Sequence, residues 1–232
     1  MRTLRDSHVV ITGATGALGR AVAHALVDAG AHCHVPAIEP SVPPDIFPAG
    51  KVSVVTDIDL SDEAAVSGFY ASLPPLHAVV NIAGGFAWAP IADSPLKVLQ
   101  QQLSMNVVSC ALSCREAVGN FRKRGQGGQI VNISARPALN PRQGAGMTAY
   151  TASKAAVAAF TVALAEELKG ENISVIALAP STIDTPTNRA DMPKANHASW
   201  VKPIAIAELI VAQLGLSDPI NSGALIPVYG KA

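Results

Sequence analysis

Tyr150 and Lys154 lie four residues apart, and their types and spacing could support proton transfer. The run around them, 149–159, is rich in alanine and contains no proline or glycine, so it favours a helix. Residues four apart on a helix share one face, which would bring the ammonium beside the phenol. An adjacent ammonium lowers the pKa of a tyrosine, which could then exchange a proton with a substrate. Taken alone, the pair is also compatible with two exposed side chains that meet by chance.

The composition indicates a globular chain without a charge bias. The 232 residues carry 17 Lys plus Arg and 17 Asp plus Glu, so no net field favours nucleic acid or an anionic membrane. No apolar run approaches the roughly 20 residues of a transmembrane helix, and the N-terminus lacks the apolar core of a signal peptide. Three cysteines do not describe a disulfide framework. We expect one cytoplasmic domain over residues 1–232, with no nucleic-acid or membrane partner.

A glycine-rich turn follows the first apolar segment. Residues 8–12 form a β-branched run, and Gly13, Gly16 and Gly19 follow at intervals of three before a helical pattern begins at Arg20. Glycines let the backbone approach a pyrophosphate, and a helix N-terminus offers free N–H groups to it. The turn therefore indicates a phosphate-binding start, although it could also be only a tight connection between a strand and a helix.

Apolar strands alternate with helical segments along the whole chain. Predicted strands cover 8–12, 31–35, 51–56, 76–83, 129–134, 173–179 and 223–228. Predicted helices cover 20–27, 63–66 with Ser61 as N-cap, 94–122, 149–168 and 205–214, and predicted loops cover 36–50, 135–148 and 181–200. This alternation predicts an α/β fold with a single doubly wound parallel sheet, a Rossmann fold with helices on both faces. Ligands bind such sheets beyond the carboxyl ends of the strands, at the edge that Tyr150 would face.

A histidine-rich strand raises the question of a metal site. His32 and His34 flank Cys33, but alternate side chains on a strand point to opposite faces, so the three should not converge. Cys110 and Cys114, four apart on a predicted helix, are expected to pack rather than bind a ligand. We expect no metal.

Together these motifs resemble the short-chain dehydrogenase/reductase family over essentially the whole chain. Residues 12–19 resemble its cofactor turn, 81–84 its N-x-A-G segment, and Tyr150 and Lys154 its Y-x-x-x-K pair. Residues 180–185 resemble its P-G-x-x-x-T segment, with Ser181 in place of the glycine. The cofactor-binding residues that the resemblance implies are Gly13, Thr15, Gly16, Ala17, Leu18, Gly19, Asp59, Leu60, Asn81, Ala83, Gly84, Tyr150, Lys154, Pro180, Ile183 and Thr185.

The resemblance implies an NAD(P)-dependent oxidoreductase that acts on a small molecule and forms a homodimer or homotetramer. Tyr150 would donate the proton in reduction, Lys154 would orient the nicotinamide ribose, and Asn106 would hold a water that relays protons from Lys154. Hydride comes from the cofactor, so the protein supplies orientation and electrostatics.

One departure from the family concerns its catalytic serine. The family's I-S-S or I-G-S pattern here reads Ile133-Ser134-Ala135, so Ala135 occupies the place of the serine that polarises a substrate carbonyl. Ser134 could act in its place as a fourth catalytic residue. Neighbouring strand residues point to opposite faces, however, which argues against a simple exchange.

Dihydropteridine reductases, a branch of the family, also carry alanine at that place. They share the segment that here runs through 184–193, and residues 83–86 are similar to their A-G-G-aromatic stretch. A quinonoid dihydropterin is already electron-poor, so hydride transfer needs less help from a hydroxyl donor. The resemblance therefore implies a reductase of a conjugated or quinonoid substrate such as a dihydropterin. The alternatives are a general carbonyl or alcohol dehydrogenase and a redox sensor that binds NAD(P) without turnover.

The choice of cofactor depends on the end of the second strand. NAD-preferring relatives usually carry Asp there, where this chain has Ala37 and, two residues on, Glu39. No Arg or Lys lies between Gly13 and Gly19 to hold a 2′-phosphate. We expect NAD or NADP, with a preference for NAD in which Glu39 takes the place of the Asp.

Overall fold

Seven parallel strands form one sheet in the computed structural model, which describes residues 3–231. The strands are β1 (His8–Thr12), β2 (His32–Pro36), β3 (Val52–Val55), β4 (Ala78–Asn81), β5 (Gly128–Ile133), β6 (Ile173–Pro180) and β7 (Leu225–Val228). Their order is β3-β2-β1-β4-β5-β6-β7. The sheet therefore grows to one side of β1 through β2 and β3, and to its other side from β4 onwards. This order confirms the doubly wound fold and places the expected crevice between β1 and β4.

Helices cover both faces of the sheet. They are α1 (Ala17–Asp28), α2 (Glu63–Ala71), α3 (Leu96–Leu103), α4 (Ser109–Arg124), α5 (Arg136–Leu139), α6 (Thr148–Glu167), α7 (Pro186–Asp191) and α8 (Pro203–Leu214). One core packs Val9 and Ile11 of β1 against α1 and α8, while Val10 joins a second core beneath α2, α4 and α6. Because consecutive β1 residues enter opposite cores, this strand is buried on both faces, as a central parallel strand requires.

The long helix predicted over 94–122 is interrupted. A π-helical turn, Ser104–Val108, separates α3 from α4, and Asn106 lies within it. The Asn106 side chain bonds both backbone groups of Gly85, accepting from its N–H and donating to its carbonyl at 3.0 Å each. This contact is made between distant parts of the chain, so helical periodicity alone did not show the interruption.

The N-cap predicted for α2 is wrong by one residue. Asp62 caps the helix, since its carboxylate accepts from the backbone N–H groups of Ala64 and Ala65. The Ser61 hydroxyl instead donates to Asp59 at 2.8 Å. A carboxylate with two backbone donors is also favoured by the helix dipole, which explains the choice.

Two predicted loops contain short helices. The stretch 135–148 holds α5 and a 3₁₀ turn, and the stretch 181–200 holds α7 and a second 3₁₀ turn. Each is one or two turns long, too short for a hydrophobic period to reveal.

Within residues 3–231, no helix is both long and apolar enough to cross a membrane. The single domain predicted over 1–232 includes residues 1, 2 and 232, which lie outside the described range, and it stays a prediction.

Candidate active site

A cavity of about 550 Å³ opens at the carboxyl edge of the sheet, beside β1, β2 and β4. Predicted site residues make up much of its wall. They are Gly13, Thr15, Gly16, Ala17, Leu18, Gly19, Asp59, Leu60, Ala83, Gly84, Tyr150, Lys154 and Ile183. The cavity therefore lies where a doubly wound sheet is expected to bind its ligand, beyond the carboxyl ends of the strands.

The glycine turn is packed too tightly for side chains. Gly13 has a φ of +65°, and a Cβ there would lie 2.7 Å from the backbone nitrogen of Ala83. A Cβ on Gly19 would collide with the backbone of Gly13. The Thr12 hydroxyl accepts from the N–H groups of Ile82 and Ala83 at 3.1 Å, which joins the end of β1 to the end of β4. This close fit holds the start of α1 against the cavity.

Glu39 stands at the far end of the cavity with one oxygen unsatisfied. Its Oε1 accepts from the Thr15 hydroxyl at 2.9 Å, whereas its buried Oε2 has no partner within residues 3–231. A buried, unpaired carboxylate oxygen is costly unless a ligand donates to it. Ribose hydroxyls are such donors, so this wall fits a dinucleotide cofactor. Lys154 is the one basic residue on the described wall.

Lys154 is buried at the opposite end of the cavity. Its Nζ donates to the carbonyl of Ile133 at 2.9 Å, and burial lowers the pKa of Lys154 to about 8. Burial also raises the pKa of Tyr150 to about 12, and the ring of Phe86 meets the Tyr150 ring edge-on, with centroids 5.0 Å apart. The expected lowering of the Tyr150 pKa by Lys154 is therefore not found here, because the ammonium is directed to Ile133.

Asn106 is held from several sides. Besides Gly85, its Nδ2 approaches the Oγ of Ser153 at 3.1 Å and the Oε1 of Gln102 at 3.3 Å. Gly84 lies so close that a Cβ there would collide with the Asn106 Oδ1 and lie 3.3 Å from the Lys154 Nζ. Asn106 is 1% exposed and does not line the cavity with its side chain. It supports the wall next to Lys154.

The geometry contradicts a catalytic role for Ser134. Its side chain is buried, and its hydroxyl donates to the main-chain carbonyl of Lys154 at 2.8 Å. Ala135, also buried, follows it without a hydroxyl. Ser134 follows Ile133, the last residue of β5, and unlike Ile133 it does not line the cavity.

Three predicted cofactor contacts also lie away from the cavity wall. The Asn81 side chain belongs to a buried network, where its Nδ2 donates to Asn132 at 2.9 Å and its Oδ1 accepts from Ser113 at 2.6 Å. Pro180 is buried at the end of β6. The Thr185 hydroxyl caps α7, accepting from the backbone N–H of Asn188. None of these side chains faces the cavity.

Several residues on or behind the wall were not predicted as site residues. Phe86, Met105 and Ser109 line the cavity, while Gln102 and Ser153 support Asn106. The aromatic position after Gly84-Gly85 was a usable signal for Phe86. Gln102 precedes Asn106 by four residues, a helical neighbour spacing that could have shown the contact.

The histidine-rich strand has the predicted alternation. Cys33 is buried in the core, while the half-buried His32 and His34 lie on the other face with His8. The Nδ1 of His8 and the Nε2 of His34 are 3.0 Å apart. Among the described residues, no three or more His, Cys, Asp or Glu side chains form a group that could hold a metal ion.

Comparison with known proteins settles the family. The model of the family described as short chain dehydrogenase matches residues 7–196. The chain belongs to the short-chain dehydrogenase family.

Curated relatives are of moderate similarity. The oxidoreductase EphD of Mycobacterium tuberculosis is 31% identical over 78% of this chain, which spans about a third (31%) of the length of EphD. The NADPH-dependent aldehyde reductase 2 of Arabidopsis thaliana chloroplasts is 31% identical over 76% of this chain and 72% of the relative.

Solved structures share the fold. A protein from Beutenbergia cavernae, described as an NAD(P)-dependent gluconate 5-dehydrogenase with bound NADP, is 27% identical. It superposes with a TM-score of 0.86 over 98% of this chain and 97% of the other. A short-chain type dehydrogenase/reductase from Mycobacterium ulcerans, 23% identical with a TM-score of 0.86, covers 99% of this chain and 90% of the other and shows the fold alone.

The positions of the residues on the cavity wall indicate what each would do in this short-chain dehydrogenase. The glycine turn and Glu39 would hold the dinucleotide, which supplies or accepts hydride when bound. Tyr150 offers an O–H to a substrate, and at neutral pH the Lys154 ammonium remains mostly charged because its pKa is about 8. With a dinucleotide bound, the residues of this chain would supply orientation, a fixed positive charge and a proton at the Tyr150 oxygen.

Proposed function

We propose that this protein reduces a conjugated or quinonoid small molecule, such as a dihydropterin, with Tyr150 as proton donor. The main support for this proposal is that the site lacks the hydroxyl of the family's serine. Ala135 occupies the place of that serine, and the hydroxyl of the neighbouring Ser134 donates to the main-chain carbonyl of Lys154. An ordinary ketone needs such a donor to stabilise developing negative charge. An electron-poor conjugated system needs this help less.

The surroundings of Tyr150 support a flat substrate. Phe86 is 58% exposed and lies on the cavity wall against Tyr150. A planar conjugated ring can stack on or meet the edge of such an aromatic group favourably. Lys154 would carry the positive charge beside the site. The relay water that the resemblance assigns to Asn106 does not fit its side chain, which is bonded within the chain and lies off the cavity, so Asn106 would instead hold the wall in place.

We further propose NAD(H) as the preferred cofactor. The unsatisfied Glu39 Oε2 supports this choice, since it can accept from a ribose hydroxyl and would repel a 2′-phosphate. The wall around it contains no arginine or lysine that could pair with that phosphate.

A general carbonyl reductase is the second candidate, because a relative is described as an aldehyde reductase. A sensor without turnover would not require Tyr150 and Lys154 on one cavity wall, so the geometry favours an enzyme.

The association as a homodimer or homotetramer is also a proposal, supported by exposed apolar side chains such as Leu96 and Val108. A cytoplasmic location is proposed on the sequence alone.

The test is a substrate panel. Purified protein is assayed for oxidation of NADH and NADPH with a quinonoid dihydropterin, a quinone, an aldehyde and a ketone. We expect the dihydropterin or quinone to be reduced faster than the ketone, and Ala135→Ser to improve turnover of the ketone. The conjugated-substrate proposal fails if the dihydropterin and the quinone react no faster than background while the aldehyde is reduced.

A further inference from the structure

The hydroxyl of Ser153 connects two parts of the site without lining the cavity. Ser153 is fully buried on α6, one residue before Lys154. Its Oγ donates to the main-chain carbonyl of Tyr150 at 2.8 Å and accepts from the Asn106 Nδ2 at 3.1 Å. One hydroxyl thus joins the first turn of α6, which carries Tyr150, to the π-helical turn that carries Asn106.

The Asn106 amide has more acceptors than hydrogens. Its two N–H groups face the Gly85 carbonyl at 3.0 Å, the Ser153 hydroxyl at 3.1 Å and the Gln102 Oε1 at 3.3 Å. Removal of the Ser153 hydroxyl would therefore leave an acceptor for each hydrogen, so Asn106 would stay satisfied. The consequence would be a lost connection between α6 and the π-helical turn.

That connection reaches the wall beside Lys154. Asn106 and Gly85 exchange two hydrogen bonds, which fixes the backbone next to Gly84. At Gly84 the wall approaches the Lys154 Nζ so closely that a Cβ would lie 3.3 Å from it. The contact between Ser153 and Asn106 therefore links the backbone of Tyr150 to this wall.

We propose that Ser153 is a positioning residue, whose hydroxyl fixes Tyr150 relative to Asn106, the Gly84–Gly85 wall and Lys154. This inference rests on the proposed role of Tyr150 as proton donor. A shift of the phenol on the order of 1 Å is sufficient to reduce a rate by about 100-fold.

Thr161 provides a matched control on the same helix. It is fully buried, its Oγ1 donates to the Val157 carbonyl at 2.8 Å, and it accepts from the Asn132 Nδ2 at 2.9 Å. It thus repeats the bonding pattern of Ser153, but eight residues farther along α6, about 12 Å away by helical rise. Thr161→Val removes an equivalent pair of bonds with almost no change in shape.

The experiment compares kcat, KM and Tm of Ser153→Ala and Thr161→Val, with the best substrate from the panel. For Ser153→Ala we expect kcat to fall roughly 10- to 100-fold while KM for cofactor and substrate changes little. For Thr161→Val we expect a loss of Tm at least as large, because the buried Asn132 Nδ2 loses its acceptor, with kcat near the wild-type value. Ser153→Thr, which keeps the hydroxyl, should recover most of the lost kcat.

Two results would overturn the proposal: an unchanged kcat in Ser153→Ala, or an equal loss of kcat in Thr161→Val. Should Ser153→Ala give no folded protein, Ser153→Cys replaces the hydroxyl with a weak donor of similar size and is expected to lose kcat too. A wild-type kcat in Ser153→Cys would equally refute it. Tyr150→Phe, assayed alongside, separates the two claims, because full activity in that variant refutes the proton-donor role itself.

Discussion

At the scale of single residues, burial of the Lys154 ammonium lowers the stability of the fold, although the proposed reaction requires this group. Burial lowers the pKa of Lys154 from 10.5 to about 8, and a shift of that size corresponds to a burial cost on the order of 3 kcal/mol. Between these values the unfolded chain binds more protons than the folded one, so this group makes stability rise from pH 8 to 10.5. Below pH 8 both states are protonated, and the cost is present in full.

Lys154→Met is therefore expected to raise the free energy of unfolding while abolishing turnover. The gain should be about 1–2 kcal/mol, less than the full burial cost because the bond to Ile133 is also lost. Thermal unfolding at pH 7 and a steady-state assay measure the two effects. A variant with a lower Tm than wild type would contradict the burial argument.

The same pKa predicts how reduction depends on pH. As pH rises through about 8, Lys154 loses its charge while Tyr150, with a pKa of about 12, stays protonated. The value of kcat/KM for reduction should therefore decline on the alkaline side of pH 8. A profile that stays flat from pH 7 to 10 would show that the Lys154 charge is not needed.

Glu39 should govern the choice between NADH and NADPH. Glu39→Gln keeps an acceptor for Thr15 but removes the negative charge that would repel a 2′-phosphate. The ratio of kcat/KM for NADPH over NADH should rise by roughly 10-fold, equivalent to about 1.4 kcal/mol. Glu208→Gln, on the exposed face of α8, is the control, and an equal ratio in both variants would refute the assignment.

At the scale of elements, periodicity predicted the strands and the longer helices, because most of them pack apolar residues into one of the two cores. It did not predict the interruption at Ser104–Val108 or the short α5 and α7. The π-helical turn carries Asn106, whose contact with Gly85 joins residues 21 apart in the chain. Contacts of this kind leave no local pattern in a sequence.

Gly84, in the segment after β4, and Gly119, in α4, should respond oppositely to replacement by alanine. Gly84→Ala would push a methyl into Asn106, so we expect lost activity and a lower Tm. Gly119, within α4, has open space where a Cβ would stand, so Gly119→Ala should keep activity and gain about 0.5–1 kcal/mol of stability. Thermal unfolding and turnover of both variants test this, and an active, stable Gly84→Ala would contradict the described wall.

At the scale of the whole molecule, the order of motifs made the fold and the carboxyl-edge site predictable. Glycine turn, N-x-A-G segment and Tyr150–Lys154 pair each lie where a parallel sheet places its ligand edge. Side-chain orientation was less predictable: Asn81 and Ser134 belong to the right segments but face buried networks. Such orientation is set by packing between strands and helices rather than by the segment itself.

The histidines at the amino edge of the sheet should make the whole fold sensitive to acid. Burial, then the charges of His8 and His32, lower the pKa of His34 from 6.5 to about 4. The unfolded chain therefore binds more protons in this window, and stability is lost as pH falls from about 6.5 towards 4. The decline in Tm should be shallower in His34→Gln than in wild type, and identical declines would contradict the prediction.

The most direct test of the central claim is the turnover of Tyr150→Phe. This variant keeps the ring against Phe86 and removes only the hydroxyl that would donate the proton. With the best substrate from the panel, we predict that kcat falls by about 100-fold or more, while Tm and cofactor binding stay near wild type. A Tyr150→Phe protein that turns over as fast as wild type would contradict the account.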